Sequence, residues 1–513
     1  MVGLGSRWDS EPLARLVLPI ALALAALLLA LARLRFAVTE PLWFDETFTL
    51  AIVSRPDWAS FWREVYLDSN GPAYYLLMRV WTGLFGHSDL ALRAPSLLAI
   101  LAAGLLPLVI CPPEMTRRSR LAWAALIYSW WGVGYFLDAR CYGLLLAVST
   151  WQCLVFAKLM ARPGLRTALI WAATAALAIL LHYYAVFLGM AQGLIYLARH
   201  RHVALRTWPA GLAFLPSFGW IAYHAPRLKQ YSGLARIWHP PLEAGRIFEM
   251  AGFVLGPTSP LIFAGVATIL AVGLSLGRVG SATPADVEPK PSGALVMTVV
   301  SGGLALALVV GFGLLGSGLS PRYLIPLGPP LVLGVVLVAG RSVRAPLIYL
   351  ALITLYFGAQ VQPVWQALGP KRAFPRYEFE TAAGDMMAHR VTDLVFVWDH
   401  ELTSIMAPTT LERVGGVFFA RAGYPIRVRP LAVDAKHDPN LAILAAAQGP
   451  RPGLIWMFNR AGHTAAHRFP PTIARLDPRW SCAESGDGVA GSLRCYRAAT
   501  QPGIGAVGGR PAP

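Results

Sequence analysis

Long apolar stretches alternate with short polar connections from the N-terminus to about Val361. Most of these stretches approach the roughly 20 residues that an α-helix needs to cross a bilayer. The pattern therefore predicts about eleven transmembrane helices. They lie near residues 16–32, 94–110, 121–136, 142–159, 168–181, 184–198, 208–223, 261–276, 294–315, 323–339 and 345–361. A shorter apolar stretch at 248–258 contains a Gly-Pro break and is interpreted as interfacial or re-entrant.

The long connection between the first two spans, residues 34–93, has a helical pattern of its own. Asp57 can cap a turn that is followed by apolar residues on one helical face, among them Phe61 and Val65. A second aromatic stretch at 74–81 also has a helical period. We expect two helices here, lying in the membrane interface.

After Val361 the pattern changes to short β-like runs at 394–398, 426–428 and 454–458. These runs predict a small α/β domain over residues 363–500, after a transmembrane module over residues 1–362. Residues 278–293 contain several Pro, Ala and Ser and are read as a cytoplasmic linker within that module. The tail 501–513, which is rich in Gly, Pro and Ala, is expected to be disordered.

Basic residues of the short loops fall on one side of the predicted bundle, which the positive-inside rule makes cytoplasmic. They include Arg117, Arg118, Arg120, Arg162, Arg166, Arg199, Arg201, Arg206, Arg278, Lys290, Arg341 and Arg344. With an odd number of spans and a first span read as a retained anchor, the N-terminus is cytoplasmic and the C-terminal domain extracytoplasmic. We expect a multi-pass protein of a bacterial inner membrane.

The composition agrees with this class, since 56% of the residues are hydrophobic and only 14% are charged. Much of the formal net charge of +17 comes from the inside loops, which meet anionic lipid head groups. The charge therefore needs no nucleic-acid partner. Of five cysteines, Cys482 and Cys495 lie in the region placed outside, where a disulfide can form. Two free thiols are the alternative.

The adjacent acids Asp45 and Glu46 follow the first span, and carboxylates beside a bilayer are costly unless they have a task. The functional interpretation makes Asp45 a general base toward an acceptor hydroxyl. Glu46 would orient that base, hold a cation or be structural. The alternative is that both acids begin an interfacial helix, where acids are favoured by about 0.3–1 kcal/mol.

Further polar residues share the outer membrane depth with this pair. The candidates for binding the substrate or its phosphate are Asn70, Tyr74, Tyr75, Arg93, Arg140, Tyr142, His182, Tyr183, Arg322 and Tyr323. Arginine fits this role because its guanidinium binds phosphate through two hydrogen bonds. Other interpretations stay open: Arg140 can pair with Asp138, Arg322 can snorkel, and His182 with Tyr183 can belong to an aromatic belt. Four basic residues, Arg227, Lys229, Arg236 and His239, either gather an anionic head group or lie in a solvated loop.

The outward-facing position predicted for the acid limits which sugar donors the protein can use. Nucleotide sugars and ATP are made inside the cell, so a transferase whose acid faces outward must use a donor carried across the bilayer. A polyprenyl-phosphate-linked sugar meets that need, with phosphate as the leaving group and interfacial arginines to stabilise its charge. The apolar grooves between helices would hold the polyprenyl tail.

Five sequence strings together resemble the GT-C superfamily of integral-membrane glycosyltransferases. They are WFDETFTLAI, SNGPAYYLLMRVWTGLFGHSDLALRAPSLLAI, DARCYGLLLAVST, HYYAVF and SPRYLIPLGPP, and they span roughly residues 40 to 340. The nearest group is family 39-like, with protein O-mannosyltransferases, aminoarabinose transferases and Rgt-type enzymes. The resemblance implies a helical bundle with outer interfacial helices and a polyprenyl-phosphate sugar donor. It also implies a catalytic acid in the first outer loop, which matches Asp45.

The sequence departs from this pattern at Asn70-Gly71-Pro72, where many relatives have His-Pro-Pro. This departure leaves open whether a metal takes part, and no cofactor is assigned beyond an optional divalent cation.

The leading hypothesis is transfer of a sugar to a glycolipid, glycan or protein hydroxyl. A transporter or flippase of a lipid-linked sugar and a catalytically silent sensor or assembly protein are the alternatives. A transporter is expected to carry ionisable residues near the midplane and two related halves, and the sequence shows neither.

Overall fold

The computed structural model consists of two compact units. The helical unit comprises Met1–Glu40 and Asp68–Ala373, and the α/β unit comprises Pro41–Leu67 and Phe374–Pro513. The structure describes residues 11–112, 114–130, 133, 137–234, 244–255, 260–276, 289–315, 319–369, 378–399, 406–431, 451–459, 479–486 and 490–497. The predicted tail 501–513 and most of the predicted linker 278–293 lie outside these residues.

Fourteen α-helices are described in the helical unit. They are α1 (Glu11–Thr39), α4 (Pro72–Phe85), α5 (Asp89–Ile110), α6 (Arg117–Ser129), α7 (Tyr142–Ala161), α8 (Leu165–Leu181), α9 (Ala185–Thr207), α10 (Leu215–Leu234), α11 (Ala244–Leu255), α12 (Pro260–Leu276), α13 (Gly293–Leu314), α14 (Gly328–Ala339), α15 (Ala345–Gly358) and α16 (Val361–Leu368). Two 3-10 helices, Trp208–Phe214 and Pro321–Leu327, lead into α10 and α14.

Helix occurs in all eleven predicted spans, but the helices differ in length and hydropathy. Among the described residues, six helical segments are long and apolar enough to cross a membrane. They are Ile20–Thr39, Asp89–Ile110, Tyr142–Ala161, Gly293–Leu314, Pro321–Ala339 and Ala345–Leu368. Two shorter apolar helices are Leu165–Leu181 and Leu261–Ser275. The chain is therefore a multi-pass membrane protein, and the count of eleven spans stays a prediction.

Helix α4 begins at a close contact with α8. A Cβ on Gly71 would stand 1.9 Å from the carbonyl oxygen of Leu180, so only glycine fits at this position. Pro72 occupies the first turn of α4, where its missing N–H costs nothing. The departure of this sequence from His-Pro-Pro thus coincides with a point where two backbones touch.

The α/β unit contains a five-stranded mixed sheet in the order β2-β1-β3-β5-β4. Its strands are β1 (Asp393–Asp399), β2 (Arg427–Leu431), β3 (Pro452–Asn459), β4 (Trp480–Gly486) and β5 (Ala490–Arg497). Strands β1, β2 and β3 are parallel, while β5 pairs antiparallel with both β3 and β4. The three predicted β-like runs are confirmed as β1, β2 and β3. Strands β4 and β5 were not predicted, and they carry the bonded pair Cys482–Cys495.

One face of the sheet is covered by helices. Four helices belong to this unit, namely α2 (Phe44–Val53), α3 (Trp58–Leu67), α17 (Glu378–Ala388) and α18 (Pro408–Arg421). Side chains alternate along β1. Val395 and Val397 pack into the buried cluster with Trp456 and Trp480, whereas Phe396 packs against Phe379 of α17 on the opposite face.

The division of the chain differs from the predicted one. Residues 41–67 lie in the predicted outer loop 34–93, which the sequence assigned to the transmembrane module, yet they pack as part of the α/β unit. The two helices predicted in that loop exist as α3 and α4. Asp57 caps α3 as expected, since its carboxylate accepts the Ser60 N–H at 2.8 Å. The loop is therefore split between the two units.

Candidate functional site

A buried ion pair lies at the start of α7 in the helical unit. Arg140 Nη1 is 3.9 Å from Asp68 Oδ2, and the two side chains are each 10% exposed. The same Nη1 donates a hydrogen bond to the Tyr75 hydroxyl at 3.2 Å. Asp68 Oδ1 accepts from the backbone N–H of Asn70 at 2.9 Å and from its side-chain amide at 2.8 Å. The pair is thus held by neutral polar groups of α4 and of the turn before it.

The turn that carries Arg140 is fixed from α5. The Ser96 hydroxyl donates to the backbone oxygen of Asp138 at 2.9 Å and lies 3.5 Å from that of Arg140. Both Ser96 and Arg140 are buried. A buried hydroxyl that satisfies a turn carbonyl restricts the backbone, and so the direction of the guanidinium, more than a solvated turn does.

Aromatic rings surround His182, between α8 and α9. Its ring centroid lies 6.1 Å from that of Tyr142, 5.9 Å from that of Tyr184 and 4.9 Å from that of Tyr323. The Arg322 guanidinium lies over the Tyr142 ring, 5.7 Å from its centroid. Within the described part of the chain, the buried Nδ1 of His182 has no hydrogen-bond partner. That nitrogen is available to a bound molecule.

Burial is the main cause that lowers the pKa of His182 to about 3, and the positive charges of Arg322 and Arg140 contribute to the same shift. Two guanidinium groups from distant parts of the chain therefore act on one ring. The neutral imidazole can accept or donate a hydrogen bond without adding a third positive charge.

Tyr183 connects helix α10 to the backbone of Asn70 through hydrogen bonds. The Tyr183 hydroxyl is 2.6 Å from His224 Nδ1, accepts from Trp220 Nε1 at 2.8 Å and lies 3.4 Å from the backbone oxygen of Asn70. Arg227 is buried, with its guanidinium 4.8 Å from the Tyr231 ring centroid. Burial raises the pKa of Tyr231 on α10, and the negative charge of Asp68 raises it as well. Tyr231 therefore interacts electrostatically with the acid of the Arg140 ion pair.

Arg227 and Lys229 belong to helix α10, not to a loop, and Lys229 is exposed. Arg236 and His239 lie outside the described residues.

Two predicted residues have mainly structural contacts. Arg93 is fully buried, and its Nη1 donates to the Glu40 carbonyl at 2.6 Å while its guanidinium lies 5.1 Å from the Phe36 ring centroid. These contacts hold the C-terminal end of α1 against α5. Tyr74 is buried on α4 with its ring 5.5 Å from that of Tyr75. Substrate contact by either residue stays a prediction.

The acids Asp45 and Glu46 belong to the α/β unit, in the first turn of α2. The Glu46 carboxylate accepts the Trp43 backbone N–H at 2.7 Å and is fully buried, which is a helix-capping role. Asp45 is half-buried. The alternative that these acids begin a helix is thus realised for both, and the chemistry assigned to Asp45 stays a prediction.

Sequence reasoning missed Asp68 and Ser96. Asp68 had a local signal, because an acid followed two residues later by Asn-Gly-Pro forms an Asx turn that places its carboxylate against the next helix. Ser96 had none, since a serine inside an apolar helix is common. In the described residues no group of three or more His, Cys, Asp or Glu side chains could hold a metal ion.

No family model matches the sequence, and no curated protein matches it either. Two solved structures of ArnT from Cupriavidus metallidurans are similar. The one bound to undecaprenyl phosphate has a TM-score of 0.53 and 12% identity, over 95% of this chain and 98% of that chain. The apo structure has a TM-score of 0.55 and 13% identity, over 94% and 98%.

A cryo-EM structure of the arabinofuranosyltransferase AftD from Mycobacteria has a TM-score of 0.41 and 16% identity, over 94% of this chain and 40% of that chain. Both ArnT structures match this chain over nearly its whole length. The chain therefore has the fold of ArnT, which agrees with the sequence resemblance.

Proposed function

We propose that this protein is a membrane glycosyltransferase that moves a sugar from a polyprenyl-phosphate-linked donor to the hydroxyl of a lipid, a glycan or a protein. The observation that carries the proposal is the arginine-containing cluster of the helical unit, formed around Arg140, Asp68, His182 and Arg322, of which Arg140 and His182 are buried and Arg322 is half-buried. In the sequence, apolar helices precede and follow the residues of this cluster, and they offer an apolar surface for a polyprenyl tail.

The chemistry of this cluster suits a phosphate. Buried guanidinium groups are costly unless an anion compensates them, and phosphate accepts two parallel hydrogen bonds from one arginine. The Asp68 carboxylate lies 3.9 Å from the Arg140 guanidinium. The unpartnered Nδ1 of His182 offers one more hydrogen bond. The similarity to an ArnT structure bound to undecaprenyl phosphate supports the same ligand class.

In the proposed reaction, the acceptor oxygen forms a bond to the anomeric carbon of the sugar. The bond between that carbon and the phosphate oxygen breaks, and its electron pair stays on the phosphate. Arg140 and Arg322 stabilise the charge that develops there, and Asp45 takes the proton of the acceptor hydroxyl. Glu46 supports this step by capping the helix that carries Asp45.

The cellular setting follows from the donor. We infer an inner-membrane protein with a cytoplasmic N-terminus and an extracytoplasmic α/β unit, because the donor must be used where nucleotide sugars are absent. The sugar can be a hexose or a pentose.

The test is transfer by the purified full-length protein in liposomes that contain labelled polyprenyl-phosphate sugars and a lipid acceptor extract. A new glycoside bond, lost in the Arg140→Gln variant, is expected. Movement of intact donor between leaflets without a new bond would instead support the alternative, a transporter or flippase of a lipid-linked sugar.

A further inference from the structure

Helix α2, which carries Asp45, packs against the sheet of the α/β unit through two phenylalanines. The Phe44 ring centroid is 4.9 Å from that of Trp398, and the Phe48 centroid is 5.2 Å from it. Phe44 also lies 6.1 Å from Phe379 and 6.4 Å from Phe396, measured between ring centroids. Because residues four apart lie on one side of a helix, the two phenylalanines form a single contact face toward β1.

The segment after α2 is tied to α18 by a buried carboxylate. Glu64 of α3 accepts hydrogen bonds from the Arg55 guanidinium and from the Thr410 hydroxyl in the first turn of α18. Glu64 is 4% exposed and Thr410 is 6% exposed. A buried carboxylate with a charged and a neutral donor is restricted in position, because breaking either bond leaves a buried charge under-compensated. Both α2 and α3 are thus anchored to elements after residue 374.

These anchors restrain the helix that carries Asp45. Asp45 follows Phe44 by one residue, so it lies about 100° round the helix from Phe44 and about 60° from Phe48, beside the face that contacts Trp398. Rotation of α2 about its axis would remove both phenyl rings from Trp398. Glu46 fixes the first turn through the Trp43 N–H, so the start of the helix is restrained as well.

We propose that the α/β unit is the platform that positions the Asp45 carboxylate, with Trp398, Glu64 and Thr410 as positioning residues. This inference rests on the proposed function, since it presumes that Asp45 acts as the base. It assigns to the domain a role in the chemical step, in place of acceptor recognition or general support. The domain holds α2 in one orientation, and Trp398 acts through Phe44 and Phe48 without touching substrate.

The opposite face of the sheet offers a matched control. Trp480 of β4 is 6% exposed and packs in the cluster with Val395, Val397 and Trp456. Trp398 is half-buried, so replacement of Trp480 loses at least as much apolar burial in the same unit, but it removes no Phe44 or Phe48 contact. Comparison of the two tryptophans therefore separates positioning of α2 from stability of the domain.

The experiment uses the full-length protein in liposomes and the variants Trp398→Leu, Trp398→Phe and Trp480→Leu. We measure kcat, the KM for a polyprenyl-phosphate sugar, and amide hydrogen exchange across residues 44–53. Trp398→Leu should lower kcat on the order of 10²-fold with little change in KM, since a misplacement of about 1 Å can cost that much. Exchange across α2 should rise. Trp398→Phe should restore most of kcat, and Trp480→Leu should leave it near the wild-type value.

Two results would overturn the platform: unchanged exchange across α2 in Trp398→Leu, or an equal fall of kcat in Trp480→Leu. The Asp45→Asn variant is measured in parallel. Full transfer by Asp45→Asn would overturn the assignment of the base, whereas the exchange data test the platform independently of any turnover.

Discussion

The two units hold their candidate residues by different physical means. In the helical unit, Arg140, Asp68, Asn70 and Tyr75 are connected by hydrogen bonds and one ion pair between polar side chains. In the α/β unit, the helix that carries Asp45 is held by aromatic packing of Phe44 and Phe48 against Trp398. A polar network fixes a charge by direct bonds, while aromatic packing fixes a helix and leaves its acid half-exposed. The first arrangement suits binding of a charged group, and the second suits an acid that must exchange protons.

The largest expected effect comes from Asp45. Asp45→Asn keeps the side-chain size but removes the group that accepts a proton, so kcat should fall by about 10²–10⁴-fold while donor binding is retained. Transfer is measured with a labelled donor, and binding is measured by competition with the unlabelled lipid phosphate.

The matched control is Asp57→Asn. Asp57 is an acid of the same unit that caps α3, and this variant should keep its turnover within a few-fold. Near wild-type turnover in Asp45→Asn would refute the base assignment, and an equal loss in both variants would point to folding of the unit.

Next in size is the loss of Arg140. Removing one donor to a developing anion typically costs about 10²–10³-fold in kcat, so Arg140→Gln should lose transfer on that scale and bind the donor more weakly. Arg140→Gln removes the positive charge beside the Asp68 carboxylate, which can destabilise the protein. The double variant Arg140→Gln with Asp68→Asn removes both charges and should restore folding without restoring transfer.

Arg429→Gln in the α/β unit is the control for loss of a guanidinium. Its guanidinium is 2.9 Å from the Asp393 carboxylate, with Arg429 30% exposed and Asp393 5% exposed, so the variant removes a partly buried ion pair outside the proposed phosphate site. Its activity should be unchanged. Equal losses in Arg140→Gln and Arg429→Gln would argue against a phosphate site at Arg140.

A smaller effect is expected from the contact between α4 and α8. Gly71→Ala places a methyl group 1.9 Å from a backbone oxygen and should cost about 1–3 kcal/mol of stability through overpacking. Gly83→Ala lies within the same helix with no atom within 4 Å of its new Cβ and should gain about 0.5–1 kcal/mol. Thermal melting in detergent measures both, and a Gly71→Ala protein as stable as wild type would contradict the contact.

The sequence predicted helices α3 and α4, strands β1 to β3 and the helical membrane fold because each depends on local periodicity or on ordered motifs. It missed strands β4 and β5, whose Gly- and Ser-containing segments show no strict alternation. It did not predict that residues 41–67 join the α/β unit, since that grouping depends on contacts such as Phe44 with Trp398 across some 350 residues. Asp68 had the local signal of an Asx turn, but its pairing with Arg140 depends on a contact between distant parts of the chain.

The smallest expected effect concerns His182 and acid. Burial, with Arg322 and Arg140 nearby, lowers the pKa of His182 to about 3, so the ring is neutral in the folded protein from pH 5 to 8. His182→Gln should therefore leave the shape of the kcat profile unchanged over that range. Stability behaves differently, because the unfolded ring has a pKa of about 6.5 and gains a proton as the pH falls below it. The folded ring does not, so the free energy of unfolding should fall with falling pH in that window.

The size of this loss is at most about 1.4 kcal/mol for each pH unit below about 6.5. His182→Gln lacks the titrating ring, so its melting temperature should fall less between pH 7 and pH 5 than that of the wild type. The measurement is thermal melting of both proteins in detergent at pH 7, 6 and 5. Parallel melting curves for the two proteins would mean that His182 is not a buried neutral ring.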